Sequence, residues 1–231
     1  MYLLYSIISS CHSTFQIYNG PGKFEIHDRQ LTNLFDGRAK LHKFDIDGPS
    51  SKVHFSSRFL ETKLYQANNG SVFTPSIFIG DVIPPLSLYE RVMSVINGYD
   101  NTNINVIEFH DELLATGELW LWNKFDRVTL GDIESVDPPY PLHWIYNTFI
   151  PTGGAHPLKD ANGNLITLLS LQSTIPIQSD LINIIRIKSL NDREVVTSIP
   201  VIRAPNIHSF AMTSRYVILF ADPMYKNIFS L

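Results

Sequence analysis

One cysteine, Cys11, stands among 231 residues, so no disulfide can close within this sequence. A lone thiol suits a reducing compartment, and a cytoplasmic protein is the expectation. Charge is scarce too. Asp, Glu, Lys and Arg make up 17% and leave a net charge of −4, which gives no electrostatic basis for a nucleic-acid partner. No apolar run approaches the roughly 18–20 residues that a membrane-spanning helix needs. The opening MYLLYSIISS is apolar but lacks a basic n-region. A buried strand or a misplaced start is expected there rather than a secretory signal. The sequon Asn69-Gly70-Ser71 then never meets the glycosylation machinery. Serine–histidine–aspartate and cysteine–histidine arrangements with supporting context are also missing. Asp160-x-Asn162-x-Asn164 has a glycine at its fourth place and no glutamate at its twelfth, which excludes an EF-hand calcium loop.

What is present is apolar, β-branched and broken by turn residues. Hydrophobic residues reach 44%, which excludes disorder, and 14 Pro with 12 Gly favour a turn-rich, mostly β chain. Asn19-Gly20-Pro21-Gly22 predicts a tight turn, and Asp36-Gly37 predicts a hairpin turn. After it, Ala39, Leu41 and Lys43 alternate with Lys40, His42 and Phe44 as a half-buried strand, with residues 53–60 as its partner. His42 and His54 fall on strand faces. Residues 86–96 predict a short helix, with Pro85 at its start and Gly98 past its end. Its apolar residues Leu88, Tyr89, Val92, Met93, Val95 and Ile96 nearly encircle it. Such a helix either packs on a sheet edge or lies in a membrane interface, with Leu88, Val92, Met93 and Ile96 facing the lipid. A hairpin is expected around Asp111-Glu112, and residues 131–152, rich in proline, are expected as loop.

Two histidines each accompany a strand–turn signal. Gly153-Gly154-Ala155-His156-Pro157 precedes the hairpin Asp160-Ala161-Asn162-Gly163-Asn164 and the apolar run 165–169. Asn206-Ile207-His208 sits at a turn before a run, Phe210 to Phe220, that reads as a buried strand. Two such histidines can converge on one metal from a sheet scaffold, and imidazole suits iron, copper, nickel and zinc alike. A histidine beside a strand is more often a satisfied structural residue than a ligand. Glu118 is expected inside an apolar, aromatic strand with Leu119, Trp120, Leu121 and Trp122. A carboxylate there needs a partner: a proton, an arginine, or the free ring N–H of a ligating histidine.

The order of these motifs resembles the carotenoid cleavage oxygenase family, which also contains the retinoid isomerohydrolase of the eye. The elements that carry the resemblance run from Asn-Gly-Pro-Gly at 19–22, through the hairpin at 35–65 and Asn-Thr-Asn-x-Asn-Val at 101–106, to Ala-His-Pro at 155–157 and His-Ser-Phe at 208–210. It implies an all-β fold, a seven-bladed β-propeller of which this single domain, 1–231, forms about the first three to four blades, with a helical insert near 86–96. It implies a non-haem Fe(II) on the propeller axis held by four histidines, His156 and His208 among them, with Glu118 accepting from His208. These two histidines lie 52 residues apart, about one blade of roughly 40–45 residues plus a connection. The implied reaction is O2-dependent cleavage of a carotenoid C=C bond to retinal-type aldehydes. The alternatives are retinoid isomerohydrolase activity on the same iron scaffold, and a non-catalytic propeller fragment binding apolar ligands or membrane.

The sequence departs from the family pattern at Tyr18, Gly117, Leu158, Ala211 and Ala221. Family members run to about twice this length, with two further iron histidines in the second half. The expectation is a shortened member, whether isoform or incomplete gene product, that is inactive alone.

Overall fold

A computed structural model describes residues 13–70, 72–76, 78–97, 99–136, 149–175, 177–221 and 225. The first sheet joins β1 (Thr14–Lys23), β4 (Arg38–Asp47) and β5 (Lys52–Phe59), all antiparallel. A small sheet of β2 (Glu25–Ile26), β3 (Arg29–Leu31) and β6 (Val82–Ile83) lies beside it in sequence. Two helices, α1 (Lys63–Ala67) and α2 (Leu88–Asn97), lead to a four-stranded meander. Its strands are β7 (Asn105–Phe109), β8 (Glu112–Thr116), β9 (Trp122–Phe125) and β10 (Asp132–Val136). The third large sheet contains β11 (Phe149–Thr152), β12 (Leu158–Lys159), β13 (Leu165–Ser173), β14 (Asp180–Ser189) and β15 (Asp192–Val201). A two-stranded hairpin, β16 (Phe210–Met212) and β17 (Val217–Leu219), follows. The described chain is all-β apart from the two helices and one 3₁₀ turn.

The sheets stack because their central strands are apolar on both faces. On β8, Leu113 and Ala115 pack with Ala39, Leu41 and Phe125, while Leu114 packs with Trp122, Leu169 and Ile185. Burying each such large aliphatic side chain contributes about 1.5–3 kcal/mol. On β13, Leu165, Leu169 and Leu171 join the second sheet, and Leu168 turns the other way onto Ile182 and Ile207. That second contact seats the segment carrying His208.

Several sequence expectations change. Asn19-Gly20-Pro21-Gly22 is no turn but part of β1, with a bulge between Pro21 and Lys23. Its glycine serves close approach: a Cβ on Gly22 would stand 2.8 Å from Lys40 Cβ and 3.0 Å from the Phe59 ring. Pro21 is tolerated because β1 is an edge strand. Asp36-Gly37 makes no hairpin either. Leu34–Asp36 is a 3₁₀ turn, Gly37 has φ −57°, and a Cβ there would meet the Phe24 ring at 2.6 Å. The hairpin expected around Asp111-Glu112 turns one residue earlier, at His110 and Asp111, both left-handed with φ 48° and 64°. The stretch 131–152 supplies β10 and β11 at its ends, because Val136 pairs with Trp122 and enters the core. The run from Phe210 to Phe220 is a half-exposed hairpin rather than one buried strand. The Thr213 hydroxyl turns it, accepting from the N–H groups of Arg215 and Tyr216. Expectations for the first ten residues, Cys11, Ser71 and Gly98 lie outside the described residues.

Helix α2 starts at a capping box that the sequence reading passed over. Ser87 Oγ accepts from the Glu90 N–H, and the Glu90 carboxylate accepts from the Ser87 N–H at 2.8 Å. Arg29 clamps this start, donating to Glu90 at 2.9 Å and to the carbonyls of Pro84 and Pro85. Leu88, Tyr89, Val92 and Ile96 are each more than half exposed, while Met93 is half-buried and Ser94 buried.

A buried polar strap joins the first two sheets. Asn101 Oδ1 accepts from the Ala39 N–H at 2.7 Å, and its amide donates to the Gly37 carbonyl at 2.9 Å. Asn103 donates to the carbonyls of Phe35 and Gly37, both at 2.8 Å. Asp100 accepts from the Thr62 hydroxyl and the Leu64 N–H, and Asn123 donates to the Asp100 carbonyl. Burial pushes the neighbouring Tyr99 phenol up to about 12, so it stays protonated. An Asn101→Ala variant leaves the buried Ala39 N–H without its partner, at a cost of about 2–3 kcal/mol. Urea unfolding of that variant should show the midpoint falling accordingly; an unchanged midpoint would mean the strap is not a stability element.

Candidate metal centre

His156 and His208 arrive at one point by different routes. The first comes on a loop that only glycines can make, with Gly153 at φ +102° and Gly154 at φ +97°. The Gly153 N–H donates to the Glu118 carbonyl at 2.7 Å. Two residues on, the carbonyl of buried Ala155 accepts from Asn105 Nδ2 at 3.1 Å and Thr116 Oγ1 at 2.7 Å. Pro157 follows and disfavours helical backbone at His156. The second histidine follows Ile207, which is anchored on Leu168. Upstream, Asp180 Oδ2 accepts from the Ala204 N–H at 2.7 Å and fixes the approach.

The two rings meet edge to face with centroids 4.5 Å apart and Nε2 atoms 3.0 Å apart. On its far side His208 Nδ1 hydrogen-bonds to Glu118 Oε1. With the carboxylate accepting, Nδ1 carries the proton and the His208 Nε2 presents a lone pair. Glu118 is not inside a strand as expected. It lies in a bend between β8 and β9, which frees its carbonyl for Gly153 and turns its carboxylate toward His208. Its second oxygen, Oε2, is buried with no hydrogen-bond partner among the described residues. Burial lowers the His156 pKa, nearby His208 lowers it further, and Glu118 opposes both. The neutral imidazole that a metal requires is thus favoured at His156.

This donor set fits a metal. Imidazole bonds of about 2.1 Å at a right angle put two nitrogens about 3.0 Å apart, the separation seen here. Among the described residues, no third His, Cys, Asp or Glu completes a cluster that would hold a metal. The remaining described histidines lie elsewhere. His42 stacks on Phe55 and, like His54, sits on the first sheet; His110 contacts the Lys188 carbonyl, and His27 stands at the turn between β2 and β3. His12 and His143 fall outside the described residues. The structure therefore brings together all three predicted residues, His156, His208 and Glu118. Sequence reasoning missed Thr116 and Asp180 and met Asn105 only as part of the Asn-Thr-Asn-x-Asn-Val motif, because their roles arise from contacts between strands distant in sequence.

A pH prediction follows from His156. Its folded pKa is depressed below the ordinary 6.5, so the unfolded chain binds the proton more readily. Stability of the metal-free chain should fall as pH drops below about 6.5, and His156→Gln should flatten that slope between pH 7 and pH 5. Urea midpoints measured across this range check it; parallel slopes for the two proteins would contradict it.

Residues 16–231 match the family described as retinal pigment epithelial membrane protein. The mitochondrial carotenoid-cleaving dioxygenase of Mustela putorius furo is 27% identical over 238 residues, covering 92% of this chain and 40% of that protein. The beta,beta-carotene 15,15'-dioxygenase of Gallus gallus is 25% identical, covering 92% of this chain and 43% of that protein. This chain thus spans about two fifths of the length of these curated relatives. A solved structure of cobalt-substituted Synechocystis ACO is similar with a TM-score of 0.65 and 22% identity, covering 90% of this chain and 42% of that one. Its fold is the all-β fold seen here. The chain belongs to the retinal pigment epithelial membrane protein family, the family of the carotenoid oxygenases.

Proposed function

We propose that this chain is the N-terminal portion of an Fe(II)-dependent carotenoid dioxygenase. One C=C bond of a carotenoid and one O2 would give two carbonyl products, so no further oxidant is needed. The convergence of two Nε2 atoms at 3.0 Å, backed by Glu118, carries the reading. The dioxygenase names of the relatives favour cleavage over isomerohydrolysis. In this reading the 231 residues form one domain, three to four blades of a seven-bladed propeller, and two histidines from the second half of the longer family fold would complete the ligand set.

Bound ferrous iron supplies the one-electron chemistry that activates O2. His156 and His208 hold it through their Nε2 atoms. Glu118 keeps the His208 proton on Nδ1, makes the ring a stronger donor and fixes its direction. The exposed apolar side of α2, with Leu88, Val92 and Ile96, docks the protein on the membrane that stores so apolar a substrate. The protein is then cytoplasmic with a peripheral membrane contact.

Two experiments test this reading. After anaerobic loading with Fe(II) and desalting, metal analysis should find bound iron in the wild type and none in His208→Ala. Glu118→Ala should weaken iron binding roughly 10- to 100-fold. Equal iron in the wild type and His208→Ala would overturn the ligand assignment. Carotenoid cleavage, read as aldehyde products by chromatography, then tests the reaction itself. In liposome flotation the wild type should float with vesicles and Val92→Glu plus Ile96→Glu should not; unchanged flotation would remove α2 from the membrane contact.

A further inference from the structure

The carbonyl of Ala155 belongs to the same peptide unit as the His156 N–H. Whatever fixes that carbonyl fixes the plane from which the histidine departs. Ala155 is fully buried, and two side chains donate to its oxygen: Asn105 from β7 and Thr116 from β8. These two residues are directly paired across the ladder, so their side chains leave the sheet on one face and reach one acceptor. Both are otherwise committed. Asn105 Oδ1 accepts from the Val106 N–H, and Thr116 is wholly buried. Its main-chain carbonyl accepts from the Ile104 N–H, which ties it to the strap below.

From this geometry we infer that Asn105 and Thr116 are positioning residues for His156. They do for its backbone what Glu118 does for the His208 ring. The two halves of the site are thereby registered to the same strand end, since Thr116 and Glu118 are two residues apart on the chain. A carbonyl that lost one donor could rotate, and the His156 ring would leave the point where it meets His208. The inference rests on the metal reading only for its consequence; the positioning itself is a property of the metal-free chain.

The test therefore has a metal-free arm and a metal arm, on the full 231-residue chain. With histidine labelled by ¹³C and ¹⁵N, nuclear Overhauser contacts between the ring C–H protons of His156 and His208 report their approach. The contact should be present in the wild type and in Thr116→Ser, which keeps the hydroxyl. It should be lost in Thr116→Val, and in Asn105→Ala should Thr116→Val not fold. Fe(II) affinity should follow the same order, falling roughly ten-fold or more where the contact is lost. A wild type without the ring contact, or a Thr116→Val and an Asn105→Ala that both keep it, would overturn the positioning role. A contact that follows the hydroxyl in a chain that binds no iron would uphold the positioning and overturn the metal reading instead.

Discussion

Buried backbone groups must find hydrogen-bond partners, and between two sheets the ladders leave some of them unpaired. Here side chains between Asp100 and Asn105 supply the partners. Asn101 and Asn103 satisfy the main chain of Phe35, Gly37 and Ala39 as it enters β4. Asp100 caps the region of α1, and Asn19 reaches the Thr102 carbonyl from β1. At Asn101 and Asn103 an amide serves better than a charge, because it offers donor and acceptor together without the cost of burying an ion. The strap holds the first sheet against the second, and the apolar faces of β8 close around it.

The same chain of contacts runs on to the histidines. Ile104 bonds to Thr116, Thr116 and Asn105 bond to Ala155, and Ala155 leads into His156. Glu118, just past the end of β8, holds Gly153 by its carbonyl and His208 by its carboxylate. The site is therefore registered to one strand end, although its two imidazoles are 52 residues apart. The third sheet contributes from its other face, where Leu168 receives Ile207. Core packing and site geometry share the same few residues.

Much of this was legible in the sequence where periodicity alone decides. Ala39, Leu41 and Lys43 do face inward, the helix expected over 86–96 forms at 88–97, and the Asp160 to Asn164 stretch does turn a hairpin. Glycine and proline misled, because the residues that permit turns also permit close approach. Gly22 and Gly37 are there to admit Lys40 and Phe24, not to reverse the chain. Glu118 does meet His208, the partner expected for it, but in a different setting. Its aromatic neighbours suggested a strand, whereas a bend is what turns its carboxylate toward His208. The pair Asn105 and Thr116 was beyond sequence reasoning, since only the register about His110 and Asp111 puts them opposite each other. The three site residues themselves were named through family resemblance, and not by composition or spacing.

The central proposal is that the two Nε2 atoms, already facing each other in the metal-free chain, would bind one common cation. Anomalous diffraction at the iron edge, on crystals grown with Fe(II) under anaerobic conditions, tests it most directly. The account predicts one anomalous peak about 2.1 Å from both the His156 and the His208 Nε2, with Glu118 still on His208 Nδ1. Iron found elsewhere, or imidazoles still hydrogen-bonded directly to each other in iron-loaded crystals, would contradict it.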